Sequence, residues 1–99
     1  VGVASHFSAN EATVLGTPRK TSTWLAALVN GTLGHTLDFD DCSSFGHPSV
    51  VLVPAMLATG ETQGRSGRDL LEAYIAGYEV GEALSRSGAE CITVAVRRE

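Results

Sequence analysis

The sequence is poor in cysteine and in basic residues. Only 2 of its 99 residues are cysteine, Cys42 and Cys91. Two cysteines do not form the disulfide framework typical of small secreted domains, so we expect reduced thiols and a cytoplasmic protein. Lysine and arginine together number 7 against 11 aspartate and glutamate residues, which gives a net charge of -4. An acidic chain without a basic patch is a poor candidate for binding nucleic acid.

Long hydrophobic runs are also missing. The longest covers residues 50–58 and is interrupted by Pro54. Crossing a bilayer takes about 20 apolar residues, so no membrane segment is predicted. No signal-peptide pattern follows the first residue, Val1. We expect a fragment or a processed product, because the chain does not begin with methionine.

Helical patterns dominate what remains. Residues 1–20 are mixed and indicate a connecting segment. Beyond it, Ser22 or Thr23 could cap a helix whose leucine and valine residues recur every four positions, at Leu25, Val29, Leu33 and Leu37. Gly31 and Gly34 lie inside this helix, and each costs about 1 kcal/mol relative to alanine. The two glycines therefore indicate that another helix or a ligand approaches the backbone there.

Two further helices follow. The second is expected to begin at Pro48, because proline suits the first helical position. The third follows Ser66, which has with Asp69 the spacing of a capping box. Its apolar face, expected to be incompletely covered in so short a chain, carries Leu70, Tyr74, Gly77, Tyr78 and Gly81. Residues 91–96 favour a strand, but a strand alone has no partner. We predict an all-α fold, a partial helical domain of about three main helices.

A polar loop, residues 38–49 with the sequence DFDDCSSFGHPS, separates the first two helices. If the first helix continued to Asp41, then His35, Asp38 and Asp41 would share one face. Carboxylates so close together would shift one another's pKa. His47 would lie at the start of the second helix, where free N–H groups bind anions and favour a neutral imidazole. Such an arrangement suits general acid–base catalysis.

The residues alone leave other interpretations of this loop open. Asp-rich turns are most often solvated and without chemistry. Histidine and aspartate at mixed spacing can also bind a divalent metal ion, as in a metal-dependent hydrolase, although the spacing does not match an EF-hand. A third alternative makes Cys42 a nucleophile activated by His47.

The motif NGTLGHTLDFDD at residues 30–41, followed by HPS at residues 47–49, resembles the N-terminal helical domain of the MmgE/PrpD family. This family includes 2-methylcitrate dehydratase, cis-aconitate decarboxylase and iminodisuccinate epimerase. SGRDLL at residues 66–71 and AYIAGYEV at residues 73–80 are similar to the helix that follows in the family. The likeness extends over about residues 12–87. We assign residues 1–88 to this domain and regard residues 89–99, which resemble nothing in the family, as a divergent tail.

The resemblance implies a lyase or isomerase without cofactor or metal, acting on a small di- or tricarboxylate, and in the full-length family a homodimer. The first Asp of DFDD and the His of HPS line the family's active site, so Asp38 and His47 are the expected catalytic residues. Cys42 stands where a threonine commonly contributes to the pocket, and we count it with Asp38 and His47 as substrate-binding. Asp40 is expected to serve mainly folding or loop order, because adjacent side chains on a helical turn point apart. Further catalytic residues come from later in the family's longer chain, so a non-catalytic helical fragment remains the alternative.

Overall fold

The computed structural model describes residues 7–87, which form a small hairpin followed by helices. Strands β1 (Ala12–Thr13) and β2 (Lys20–Thr21) pair antiparallel, with Ala12 opposite Thr21. The helices within this part of the chain are α1 (Thr23–His35), α2 (Pro48–Gln63) and α3 (Gly67–Arg86). The predicted all-α class is confirmed. The hairpin was not predicted, since residues 1–20 were expected to be a connecting segment. Residues 91–96, which favour a strand, and the tail lie outside the described residues.

Polar side chains of the helices attach the hairpin. Glu61, near the end of α2, accepts hydrogen bonds from the backbone N–H and the hydroxyl of Thr13, both at 2.8 Å, and pairs with Lys20 at 2.6 Å. The hydrogen bond with Lys20, followed by those from Thr13, lowers the pKa of Glu61 to about 2. Asn30 of α1 makes two further hydrogen bonds with the hairpin. Its side chain accepts from Leu15 N at 2.9 Å and donates to Thr13 O at 3.0 Å. The hairpin therefore rests on two helices at once.

The closest approach between α1 and α2 occurs at the glycines. A Cβ on Gly31 would lie 3.1 Å from the carbonyl oxygen of Val50, and a Cβ on Gly34 would lie 3.3 Å from Val50 Cγ2. This confirms that a helix approaches the backbone at both positions. α2 continues through Pro54, which has no N–H to donate to the Val50 carbonyl four residues earlier. The carbonyl that faces Gly31 is therefore the one that loses its donor to the proline.

Helix α3 begins as predicted and packs through glycine. Ser66 Oγ accepts from Asp69 N at 3.2 Å while Asp69 Oδ2 accepts from Ser66 N at 2.9 Å, which completes the capping box. A Cβ on Gly77 would lie 2.7 Å from Leu52 Cδ2 of α2. A Cβ on Gly81 would lie 2.5 Å from the ring of Phe45. The glycine face of α3 is thus the covered one.

The buried core is small. Among the described residues, the buried hydrophobic side chains are Ala12, Leu25, Ala26 and Ala58. The leucine stripe of α1 is buried only at its start, since Leu37 lies beyond the helix and is 85% exposed. The α3 face expected to be incompletely covered is only partly buried, since none of its residues is buried. The more exposed face carries Leu71, Ile75, Val80 and Leu84. Across residues 7–87, no helix combines the length and the apolarity needed to cross a membrane.

Candidate active site

The site begins where α1 ends. The helix stops at His35 rather than at Asp41, so the shared helical face considered for His35, Asp38 and Asp41 does not form. Asp38 adopts a left-handed backbone with φ of 51°, and its N–H donates to the His35 carbonyl at 3.0 Å. Aspartate is one of the few residues other than glycine that tolerates this conformation. The turn keeps Asp38 near His35 but redirects every residue that follows.

Asp40 lies between two histidines. Its Oδ1 is 2.9 Å from Nδ1 of His35, a hydrogen bond, and its Oδ2 is 3.1 Å from Nδ1 of His47. The two imidazole rings are 4.7 Å apart between centroids. The Asp40 side chain is 13% exposed, whereas that of Asp38 is 76% exposed. Asp40, expected to serve mainly folding or loop order, thus carries the less exposed of the two carboxylates and contacts both histidines.

The charges of His35 and Asp40 support each other. The hydrogen bond to Asp40, together with the attraction of its charge, raises the pKa of His35 above its ordinary value. The same hydrogen bond lowers the pKa of Asp40. Asp40 is therefore ionised, and the His35 imidazole beside it favours its charged form.

The start of α2 takes its cap from outside the helix. His47 occupies the N-cap position, but its side chain makes no capping hydrogen bond. Asp41 supplies it instead: Oδ1 accepts from Ser49 N at 3.1 Å and Oδ2 accepts from Ser49 Oγ at 2.8 Å. The Ser49 hydroxyl also lies 2.7 Å from the Tyr74 hydroxyl of α3. A carboxylate at a helix N-terminus is favourable both as a cap and through the helix dipole.

The three residues predicted from the sequence meet at the His47 ring. Asp38 Oδ1 is 3.7 Å from Nε2 of His47. Cys42 Sγ is 3.7 Å from Nδ1 and 3.8 Å from Nε2 of the same ring. Asp38, Cys42 and His47 are thus neighbours, and a thiol activated by imidazole is geometrically accessible. The structure adds His35 and Asp40 to this group. Their position in the same polar motif is the feature of the sequence that could have indicated them.

The same cluster could hold a cation. One ligand atom from each of His35, Asp38, Asp40 and His47 lies within 4.8 Å of the others. Two imidazole nitrogens with two carboxylate oxygens form a donor set that suits a zinc ion. The cluster therefore offers either a proton-transfer site or a divalent-metal site.

An open groove of about 660 Å³ runs along α1 and α2 beside this cluster. Small and apolar residues line most of it, including Gly31, Val50 and Ala55. His35 is the titratable side chain among its lining residues, so the groove and the cluster share one imidazole.

This helical domain holds two imidazoles against one largely covered carboxylate, and one of the imidazoles lies at a helix start. Such a domain is suited to acid–base chemistry. The chain belongs to the MmgE/PrpD family, whose N-terminal domain model matches residues 2–90. The cis-aconitate decarboxylase-like protein oryM of Aspergillus oryzae is 34% identical to it over 77 residues. That match covers 69% of this chain and 16% of the relative, so the chain spans about one sixth of the relative's length. No solved structure matches.

Proposed function

We propose that this chain supplies an acid–base site to a lyase or isomerase that acts on a small di- or tricarboxylate without a cofactor. The observation that carries this proposal is the contact of His47, at the start of α2, with Asp38 on one ring nitrogen and Asp40 on the other. The family and the name of the oryM relative support the choice of substrate class. We also propose a homodimer, as the family resemblance implies, and a cytoplasmic location, as the two cysteines led us to expect.

The chemistry asks for a base, an acid and a binding site for carboxylate. In a dehydration, the base takes a proton from the carbon beside a carboxylate, and hydroxide leaves as water after the acid protonates it. In a decarboxylation, a carbon–carbon bond breaks, carbon dioxide leaves, and the acid protonates the remaining carbanion. His47 can exchange the proton through Nε2. Asp38 and Cys42 line the same position.

The proposal is tested on the complete protein that carries this chain. The purified protein is incubated with cis-aconitate and with 2-methylcitrate in D₂O containing a chelator, and NMR follows product formation and deuterium incorporation. We expect turnover of one substrate, and His47→Ala should lower kcat/KM by a factor on the order of 100 or more. Arg68→Ala is the control, because Arg68 is exposed and pairs only with Glu72 among the described residues.

Two results would contradict the proposal. The first is the absence of turnover and deuterium exchange with both substrates in a folded protein, which would favour the non-catalytic helical fragment. The second is turnover that His47→Ala leaves unchanged, which would remove His47 from the mechanism.

A second candidate is a metal-dependent hydrolase, favoured by the convergence of ligand atoms from His35, Asp38, Asp40 and His47. Elemental analysis of protein purified without chelator separates the two. A stoichiometric divalent ion whose removal abolishes activity would support the hydrolase. Full activity in the metal-free protein would support the cofactor-independent enzyme.

A further inference from the structure

We infer that Asp40 is the positioning residue of this site, holding His47 with its proton on Nδ1 and leaving Nε2 free on the side of Asp38. The inference deepens the proposed function and rests on it for the catalytic consequence. It adds a residue to the pair, Asp38 and His47, that the family motif points to.

A neutral His47 carries its proton on Nδ1 or on Nε2, and the stronger hydrogen-bond partner decides which nitrogen holds it. Asp40 Oδ2, 3.1 Å away, would accept a proton from Nδ1. The thiol of Cys42 is nearly equidistant from the two ring nitrogens, 3.7 Å from Nδ1 and 3.8 Å from Nε2, so it favours neither strongly. Asp38 Oδ1 lies 3.7 Å from Nε2, which is too far for a hydrogen bond. A carboxylate is a strong acceptor and a thiol is a weak donor, so the shorter contact is also the stronger one. Asp40 therefore decides the tautomer.

The surroundings of Oδ2 support this assignment. Among residues 7–87, no donor is aligned with Oδ2 as a hydrogen bond, although the atom is buried. A buried oxygen without a donor is unfavourable, because it has lost the hydrogen bonds it would make with water. The contact with His47 Nδ1 already has the distance of a hydrogen bond and lacks only its angle. A rotation of the His47 ring that aligns Nδ1–H with Oδ2 would satisfy the oxygen and hold the ring in place.

His35 holds the other side of the carboxylate. Its Nδ1 bonds Oδ1 at 2.9 Å, which restrains the carboxylate. With Oδ1 bonded to His35, Oδ2 is the oxygen that lies next to His47. Nε2 of His47 then faces Asp38, whose side chain is the exposed member of the cluster. A substrate entering from solvent would meet the unprotonated nitrogen, which is the form a general base requires.

The test is the tautomer of His47, read from its ring nitrogen resonances in protein labelled with ¹⁵N histidine. The spectra are recorded near pH 9, above the ordinary histidine pKa of about 6.5, with a chelator present. We expect Nδ1 to carry the proton in the wild type. Asp40→Asn should move it to Nε2, because the new amide can donate to Nδ1. Asp38→Asn, a matched change at the exposed carboxylate, should leave the proton on Nδ1.

The wild-type spectrum decides the inference even where a variant does not fold. A proton on Nε2 of His47 in the wild type overturns it, as does an Asp40→Asn spectrum identical to the wild type. None of these spectra needs a substrate, so they separate this inference from the proposed function. Where turnover is measured, Asp40→Asn should lower kcat by at least about 100-fold with little change in KM, as in hydrolases that orient a histidine with aspartate.

Discussion

Replacing Gly31 by valine should destabilise the domain at the contact between α1 and α2. A Cβ at this position would lie 3.1 Å from the carbonyl oxygen of Val50 and 3.7 Å from Pro54 Cγ. The first distance is a few tenths of an ångström too short, and valine adds two methyl groups beyond it. Because the obstructing atom belongs to the backbone of α2, the helix itself must recede. A flexible side chain could have turned away.

The size of the effect follows from two opposing terms. Overpacking a close contact costs about 1–3 kcal/mol. Valine in place of glycine improves the helix propensity of α1 by about 0.5 kcal/mol. We therefore expect Gly31→Val to lower the free energy of unfolding by about 0.5–2.5 kcal/mol, a large share of a typical stability of about 5–15 kcal/mol.

Urea unfolding followed by far-UV circular dichroism measures this difference. The matched control is Gly67→Val at the first position of α3, where a Cβ would meet nothing within 4 Å. Its stability should stay within about 0.5 kcal/mol of the wild type. If Gly31→Val proved as stable as Gly67→Val with the same urea dependence, the close approach of α1 and α2 would be refuted.

Three further outcomes are expected. The lowered pKa of Glu61 contributes stability that is fully present above its ordinary value of 4.5 and is lost as the pH falls toward about 2. Between pH 4.5 and about 2, the melting temperature should therefore fall more in the wild type than in Glu61→Gln. An equal fall in both proteins would contradict the lowered pKa of Glu61. Ser66→Ala should cost about 1 kcal/mol in urea unfolding, whereas Ser66→Thr keeps the hydroxyl and most of the stability. Asp41→Ala should likewise cost about 1 kcal/mol by removing the cap of α2, with Asp41→Asn intermediate, and equal stability of the two variants would refute the cap.

Local signals in the sequence predicted most of the helical boundaries. Pro48 at a first helical position and the Ser66–Asp69 box each act within one helical turn, so their effect can be read without the tertiary structure. The hairpin was missed because strands of two residues have no periodicity. Its stability comes from Glu61, 48 residues away from Thr13, and no local pattern reveals that contact.

The site was predictable as a group of residues but not as a geometry. The family motif placed Asp38 and His47 together, and the structure brings them within 3.7 Å. The contacts of Asp40 with both histidines were not predicted, because side-chain directions were inferred for a continuing helical turn. α1 ends at His35, and the left-handed turn at Asp38 rotates Asp40 inward. A single backbone angle of this kind depends on packing and cannot be derived from residue spacing.

Helix α3 has a consequence for how the domain opens. None of its 20 residues is buried, whereas α1 and α2 hold most of the buried core and also bind the hairpin. Segments with few buried contacts open at a lower free energy than the rest of a protein. Amide hydrogens of α3 should therefore exchange with solvent before those of α1 and α2. Because Tyr74 of α3 bonds Ser49 at the start of α2, each such opening would also loosen the turn that carries His47.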